Sequence, residues 1–126
     1  MSLDKQEVLK SKAREVVGNL IYNVIARQMT ALEALKLFPK SVEDDSIKVA
    51  WHALVHFEAD EDLQSKDKLY YEQQFLYLEL IAKILAQGKN MPQNMLDEYI
   101  KYHGEIVLPK KNSVFDKLKN LFRFID

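Results

Sequence analysis

The sequence predicts an all-α protein: a single compact bundle of five to six helices over residues 1–126, with a central, nearly fully buried fourth helix. Apolar residues recur at three- and four-residue steps through long stretches of the chain. The three glycines and three prolines fall mostly where helices would begin or end. Apart from residues 106–108, no stretch alternates apolar and polar residues as a strand would. A chain of 126 residues is long enough to bury a core without disulfides.

Capping residues place the first three helices. We expect the first over 4–27, with Gly18 inside it at a close contact between helices or, as the alternative, at a kink, since glycine is otherwise unfavourable there. Thr30 begins a Thr-Ala-Leu-Glu capping box, which predicts the start of a short second helix. Ser41 is expected to cap a third helix that continues to about residue 58. An acidic connection then leads to the fourth helix.

The fourth helix, over about 66–87 with Gly88 as its stop, has apolar residues around most of its circumference. One narrow polar strip interrupts them, formed by Glu72, Glu79 and Lys83. Because a helix that is apolar nearly all round is normally surrounded by others, we expect this one at the centre of the bundle. Truncating Leu80 to alanine would then cost about 2–5 kcal/mol, as core truncations do.

Two more helices are predicted toward the C-terminus. Pro92 suits the first position of a fifth helix that ends near Gly104. A sixth, over 113–125, is amphipathic and basic, with Lys117, Lys119 and Arg123 beside its apolar arc. We expect this helix to pack on the bundle. The alternatives are docking on a protein partner or on an anionic membrane surface.

Composition and charge narrow the functional classes. The formal net charge of -1 provides no global attraction for nucleic acid, and the acids at 43–45 would repel phosphates at the start of the third helix. We therefore expect no nucleic-acid partner. The chain has no cysteine, and it lacks an apolar run of the roughly 20 residues that cross a bilayer. Together with a polar N-terminus, these features predict a cytoplasmic protein.

His52 and His56 are four residues apart, so they project from one side of the third helix and could supply two ligands to a metal. The pair is predicted to face outward or toward a partner. A third ligand is not evident from a motif, although Asp45, Asp60 or His103 could complete the set on folding. We expect a metal-free pair and no cofactor, with metal binding as the alternative.

No motif for nucleophilic catalysis or phosphate binding occurs, so enzyme activity is not expected. The favoured hypothesis is a non-enzymatic helical domain that binds a protein partner or a second copy of itself. Aromatic residues at predicted outer positions suit such an interface, namely Tyr22, Tyr71, Phe75, Tyr102 and Phe124. The other two hypotheses are a metal-binding protein that uses His52 and His56, and a peripheral membrane protein anchored by residues 113–125.

Overall fold

The computed structural model describes residues 5–104, which form six α-helices and no strand. The all-α prediction is confirmed. The helices are α1 (Lys5–Ile25), α2 (Ala31–Lys36), α3 (Asp45–Ala59), α4 (Glu61–Lys66), α5 (Lys68–Leu85) and α6 (Gln93–His103). The predicted helix over 113–125 lies outside the described residues. Across residues 5–104, no helix is long and apolar enough to cross a membrane.

Local capping explains where the helices begin. Thr30 Oγ1 accepts a hydrogen bond from the Glu33 amide at 3.1 Å and donates one to Glu33 Oε1, so the predicted helix start with Thr30 as its cap is confirmed. The cap of α3 is Asp44 instead of Ser41, and its Oδ2 accepts from the amide of Ile47 at 3.2 Å. The acidic connection before the predicted fourth helix contains the short helix α4.

The centre of the bundle is α3. Nine of its 15 residues are buried: Ser46, Ile47, Val49, Ala50, Trp51, Ala53, Leu54, Val55 and Ala59. It packs against α1, α2, α4, α5 and α6, so it is covered from most sides. This arrangement leaves α5 toward the outside of the bundle.

The prediction of a nearly fully buried helix over 66–87 is therefore wrong in its burial. Of the residues of α5, the buried ones are Leu78, Ile81, Ala82 and Leu85. Leu69, Leu76 and Leu80 are 64%, 61% and 44% exposed. The physical reason is that α1 and α3 both pack against one face of α5, and its apolar residues on the opposite face have no covering element among residues 5–104.

Gly18 lies at a close approach of α1 and α5. A Cβ at this position would lie 2.3 Å from the Ala86 nitrogen and 2.9 Å from the Ala82 oxygen. Both are backbone atoms just at the end of α5, so no side chain could move aside to make room. The expectation that Gly18 sits at a close helix contact is confirmed.

Candidate functional site

A pocket of about 540 Å³ opens between α3, α5 and α6. Each helix contributes polar or aromatic side chains to it, among them His56 from α3, Tyr70 and Tyr77 from α5, and Glu98, Tyr99 and His103 from α6. Asp60, the residue that joins α3 to α4, also lines it. Its volume falls in the range of small-molecule sites. The pocket therefore gathers chemically active side chains that are distant in sequence.

Three histidines meet beside this pocket. The ring centroids of His52 and His56 are 4.3 Å apart, as their spacing of four on α3 requires. His103, on the last turn of α6, brings its ring centroid to 4.9 Å from that of His52 and 6.1 Å from that of His56. The pair thus faces α6 of its own chain, whereas the sequence predicted that it faces outward or toward a partner, and both rings are half-buried.

Burial keeps His52 uncharged. Burial, followed by repulsion from His56 and His103, lowers the pKa of His52 from 6.5 to about 4. Its Nδ1 shares a hydrogen bond of 2.5 Å with the hydroxyl group of Tyr99. The pKa of His103 is also lowered, first by burial and then by His56. At neutral pH both rings are neutral hydrogen-bonding groups.

The arrangement of these rings bears on the metal hypothesis. Within residues 5–104, no three His, Cys, Asp or Glu side chains are placed so that they could hold one metal ion. His103 does fold in against the pair, as the sequence analysis allowed. However, Nδ1 of His52 is engaged by Tyr99, and Asp60 is bonded to residues of α5. His52 and His56 therefore remain a two-ligand pair in this structure.

At its other end, the pocket is ordered by a hydrogen-bonded group around Asp60. The Tyr70 hydroxyl donates to Asp60 Oδ2 at 2.5 Å, and Gln74 Nε2 donates to the same oxygen at 3.0 Å. The bond to Asp60, together with burial, raises the pKa of Tyr70 to about 12. Asp60 thus holds its carboxylate at the pocket wall in a defined position.

Two tyrosines form a stacked pair at the pocket. The rings of Tyr77 and Tyr99 have centroids 6.0 Å apart and planes only 9° from parallel. Burial raises the pKa of both hydroxyl groups, with Glu98 adding to the effect at Tyr77. Both phenols stay protonated at neutral pH, so this part of the site offers aromatic surface and hydrogen bonds, not an ionised nucleophile.

The aromatic residues predicted for an interface occupy different environments. Tyr102 is 76% exposed and Tyr22 is partly exposed. Tyr71 and Phe75 are half-buried and pack in a row with Phe57, with ring centroids 5.9 and 6.1 Å apart along the row. Four further predicted interaction residues lie outside the described residues: Lys117, Lys119, Arg123 and Phe124.

Sequence reasoning missed an exposed apolar surface on α5, which we name the leucine face: Leu69, Leu76 and Leu80. At 100° per residue these three positions fall within about 40° of one another, opposite the buried face of the helix. Glu72, Glu79 and Lys83 flank them on one side. The tight alignment of three leucines was the available signal, but it was hidden because apolar residues also fill the opposite side.

The chain matches no family model, no curated protein and no solved structure in the comparisons with known proteins.

Proposed function

We propose that the chain is a non-enzymatic helical domain that associates with a second copy of itself through the leucine face. The observation that carries this proposal is the exposure of Leu69, Leu76 and Leu80 in one row on α5, on the side away from α1 and α3. A contiguous apolar surface bordered by charges is typical of protein interaction sites. Exposed leucines that are scattered singly over a protein surface are common and would not indicate an interaction site.

The charges beside the row favour a second copy over another partner. Glu72 and Lys83 lie on the same flank of α5, 11 positions apart, and both are exposed. In an antiparallel pair of α5 helices related by a twofold axis, the same flanks meet, so Glu72 of each copy lies opposite Lys83 of the other. Leu76 and Leu80 then meet at the centre. The surface is self-complementary in its apolar row and in the Glu72–Lys83 pairs, whereas the two copies of Glu79 lie near each other beside the twofold axis.

The expected association is weak. Burying a leucine fully contributes about 1.5–3 kcal/mol, and these side chains are already partly covered in the monomer. Association itself costs about 4–15 kcal/mol in lost freedom of motion. A pair of single helices also forms an interface near the small end of the usual range. We therefore expect a dissociation constant of about 10–1000 μM, and exchange between monomer and dimer.

Two alternatives have less support. Metal binding through His52 and His56 lacks a third ligand among residues 5–104. Anchoring to a membrane by residues 113–125 rests on their sequence pattern alone. Both remain proposals.

Charge reversal tests the proposed geometry. Glu72→Lys places two lysines opposite each other in the antiparallel pair and should weaken the dimer, as should Lys83→Glu by itself. The double variant restores both cross-chain pairs and should recover dimerisation. Glu7→Lys on α1 is the control, because it makes the same charge change on an exposed residue away from α5. Equal dimerisation of all four variants, or no recovery in the double variant, would contradict the antiparallel pairing.

A further inference from the structure

We propose that the pocket between α3, α5 and α6 binds a small organic cation, of the quaternary ammonium or protonated amine type. The pocket does not include the residues of the leucine face, so this inference is independent of the proposed self-association. Three properties of the pocket support the proposal: the charge of its lining, the aromatic surface of its lining and the volume of the pocket.

The lining is acidic. Asp60 and Glu98 supply carboxylates to the lining, one at the end of α3 and one on α6. Among the described residues that line the pocket there is no lysine or arginine. His103 adds no opposing charge at neutral pH, because burial lowers its pKa. Besides the imidazoles of His56 and His103, the ionisable groups of the lining are thus these two carboxylates and the tyrosines, and the carboxylates attract cations and repel anions.

The aromatic surface fits an organic cation better than an inorganic one. Four tyrosines line the pocket, namely Tyr70, Tyr77, Tyr99 and Tyr102. Aromatic ring faces are electronegative and attract ammonium groups within about 6 Å of the ring centre. The rings of Tyr77 and Tyr99 are stacked nearly parallel, so the two side chains form one aromatic group at the pocket. Tyr102, which is largely exposed, is free to approach a bound ligand from the solvent side.

The volume of the pocket and its apolar residues also fit an organic cation. A pocket of about 540 Å³ exceeds what a bare ion fills, and Leu78 and Met95 add apolar surface for the carbon atoms of a ligand. A bare divalent metal is disfavoured because no three suitable ligands converge within residues 5–104. A ligand with a positive head and a hydrocarbon body satisfies the carboxylates, the ring faces and the apolar residues together.

Choline and 3,3-dimethyl-1-butanol provide a direct test with the full chain. The two molecules have the same shape, but the alcohol has carbon in place of the charged nitrogen. In calorimetric titrations we expect choline to bind one site per chain and the neutral alcohol to bind at least about tenfold more weakly. Putrescine tests the protonated amine form. Equal binding of choline and its neutral analogue, or no saturable binding of either cation up to about 10 mM, would overturn the proposal.

Two neighbouring carboxylates on α6 provide a matched pair of variants. Glu98 lines the pocket, whereas Asp97 bonds to Gln93 and does not. Both are exposed, so neither amide substitution should unfold the protein. We expect Glu98→Gln to weaken choline binding at least about threefold and Asp97→Asn to leave it unchanged. Tyr102→Ala should also weaken it, because one ring face is removed. If Glu98→Gln and Asp97→Asn behave alike, the cation does not occupy this pocket.

Discussion

Arg14 and Asp44 form a buried ion pair that joins the middle of α1 to the residue that caps the start of α3. Arg14 Nη2 lies 2.7 Å from Asp44 Oδ1, and Arg14 Nε donates to the same oxygen at 3.2 Å. Arg14 Nη1 also donates to the carbonyl of Gly88, beyond the end of α5, at 3.3 Å. Because Asp44 caps α3 at the same time, one guanidinium group ties together three parts of the bundle.

Arg14→Met should destabilise the fold strongly. The substitution leaves the Asp44 carboxylate buried without its cation, and breaking a buried pair in this way costs about 3–5 kcal/mol. Lys12→Met, at an exposed position on the same helix, is the control and should change stability by less than about 0.5 kcal/mol. Urea denaturation measures both. A small effect at Arg14 would show that the ion pair does not stabilise the bundle.

Much of the fold could be predicted from local signals, and the misses have physical causes. Thr30 caps α2 through the backbone of its own helix, so sequence spacing revealed it, and Gly18 stood out because glycine is unfavourable inside a helix unless a close contact requires it. The Arg14–Asp44 pair joins residues 30 positions apart, and no local pattern indicates which charges become partners. The prediction that α5 is buried on nearly all sides failed for a related reason. Apolar periodicity shows which residues tend to avoid water but does not say how many helices surround them.

The candidate site was predictable in part. The spacing of His52 and His56 placed them on one side of α3, and His103 was named as a residue that could join them. The pocket was not predictable, because α3, α5 and α6 come together through tertiary packing. The place of Asp60 in the pocket was likewise not predictable from the sequence. Its bonds to Tyr70 and Gln74 depend on how α4 turns the chain back toward α5.

Adjacent residues on α5 test the orientation of that helix. Ile81 is fully buried, whereas Leu80 is 44% exposed. Ile81→Ala should therefore cost about 2–5 kcal/mol, as expected for truncation in a packed core. Leu80→Ala should cost less than about 1 kcal/mol, in contrast to the value expected from sequence alone. Urea denaturation of dilute protein, where the monomer predominates, compares the two. Equal losses would mean that α5 is buried on both faces.

Acid should destabilise the protein through His52. Its pKa is about 4 in the folded state and 6.5 when unperturbed, so between these values the unfolded chain binds more protons. This contribution to stability is complete above pH 6.5 and is lost as the pH falls toward 4. The slope it adds is at most about 1.4 kcal/mol per pH unit, reduced because His52 is only partly buried.

His52→Gln removes the titrating ring and keeps a polar side chain beside Tyr99. The stability of the variant should fall less between pH 6.5 and pH 4 than that of the wild type, since carboxylates titrate in both proteins. Urea titrations at several pH values give the two curves. If the curves run parallel across this range, His52 is not the group responsible.

Truncation after Asn112 tests the prediction that residues 113–125 pack on the bundle. If they do, their apolar residues contribute to the core, and the truncated chain should lose at least about 2 kcal/mol of stability. Thermal and urea denaturation measure this loss. An unchanged melting temperature, together with lost binding to anionic vesicles, would instead favour the membrane alternative.

The central claim is self-association through the leucine face, and sedimentation equilibrium of the full chain at concentrations up to about 1 mM tests it most directly. The wild type should show a reversible monomer–dimer equilibrium. Leu76→Glu should be monomeric throughout, whereas Leu37→Glu, which adds the same charge at a leucine that is 57% exposed after α2, should dimerise like the wild type. A wild type that stays monomeric at about 1 mM, or a Leu76→Glu variant that dimerises normally, would contradict the account.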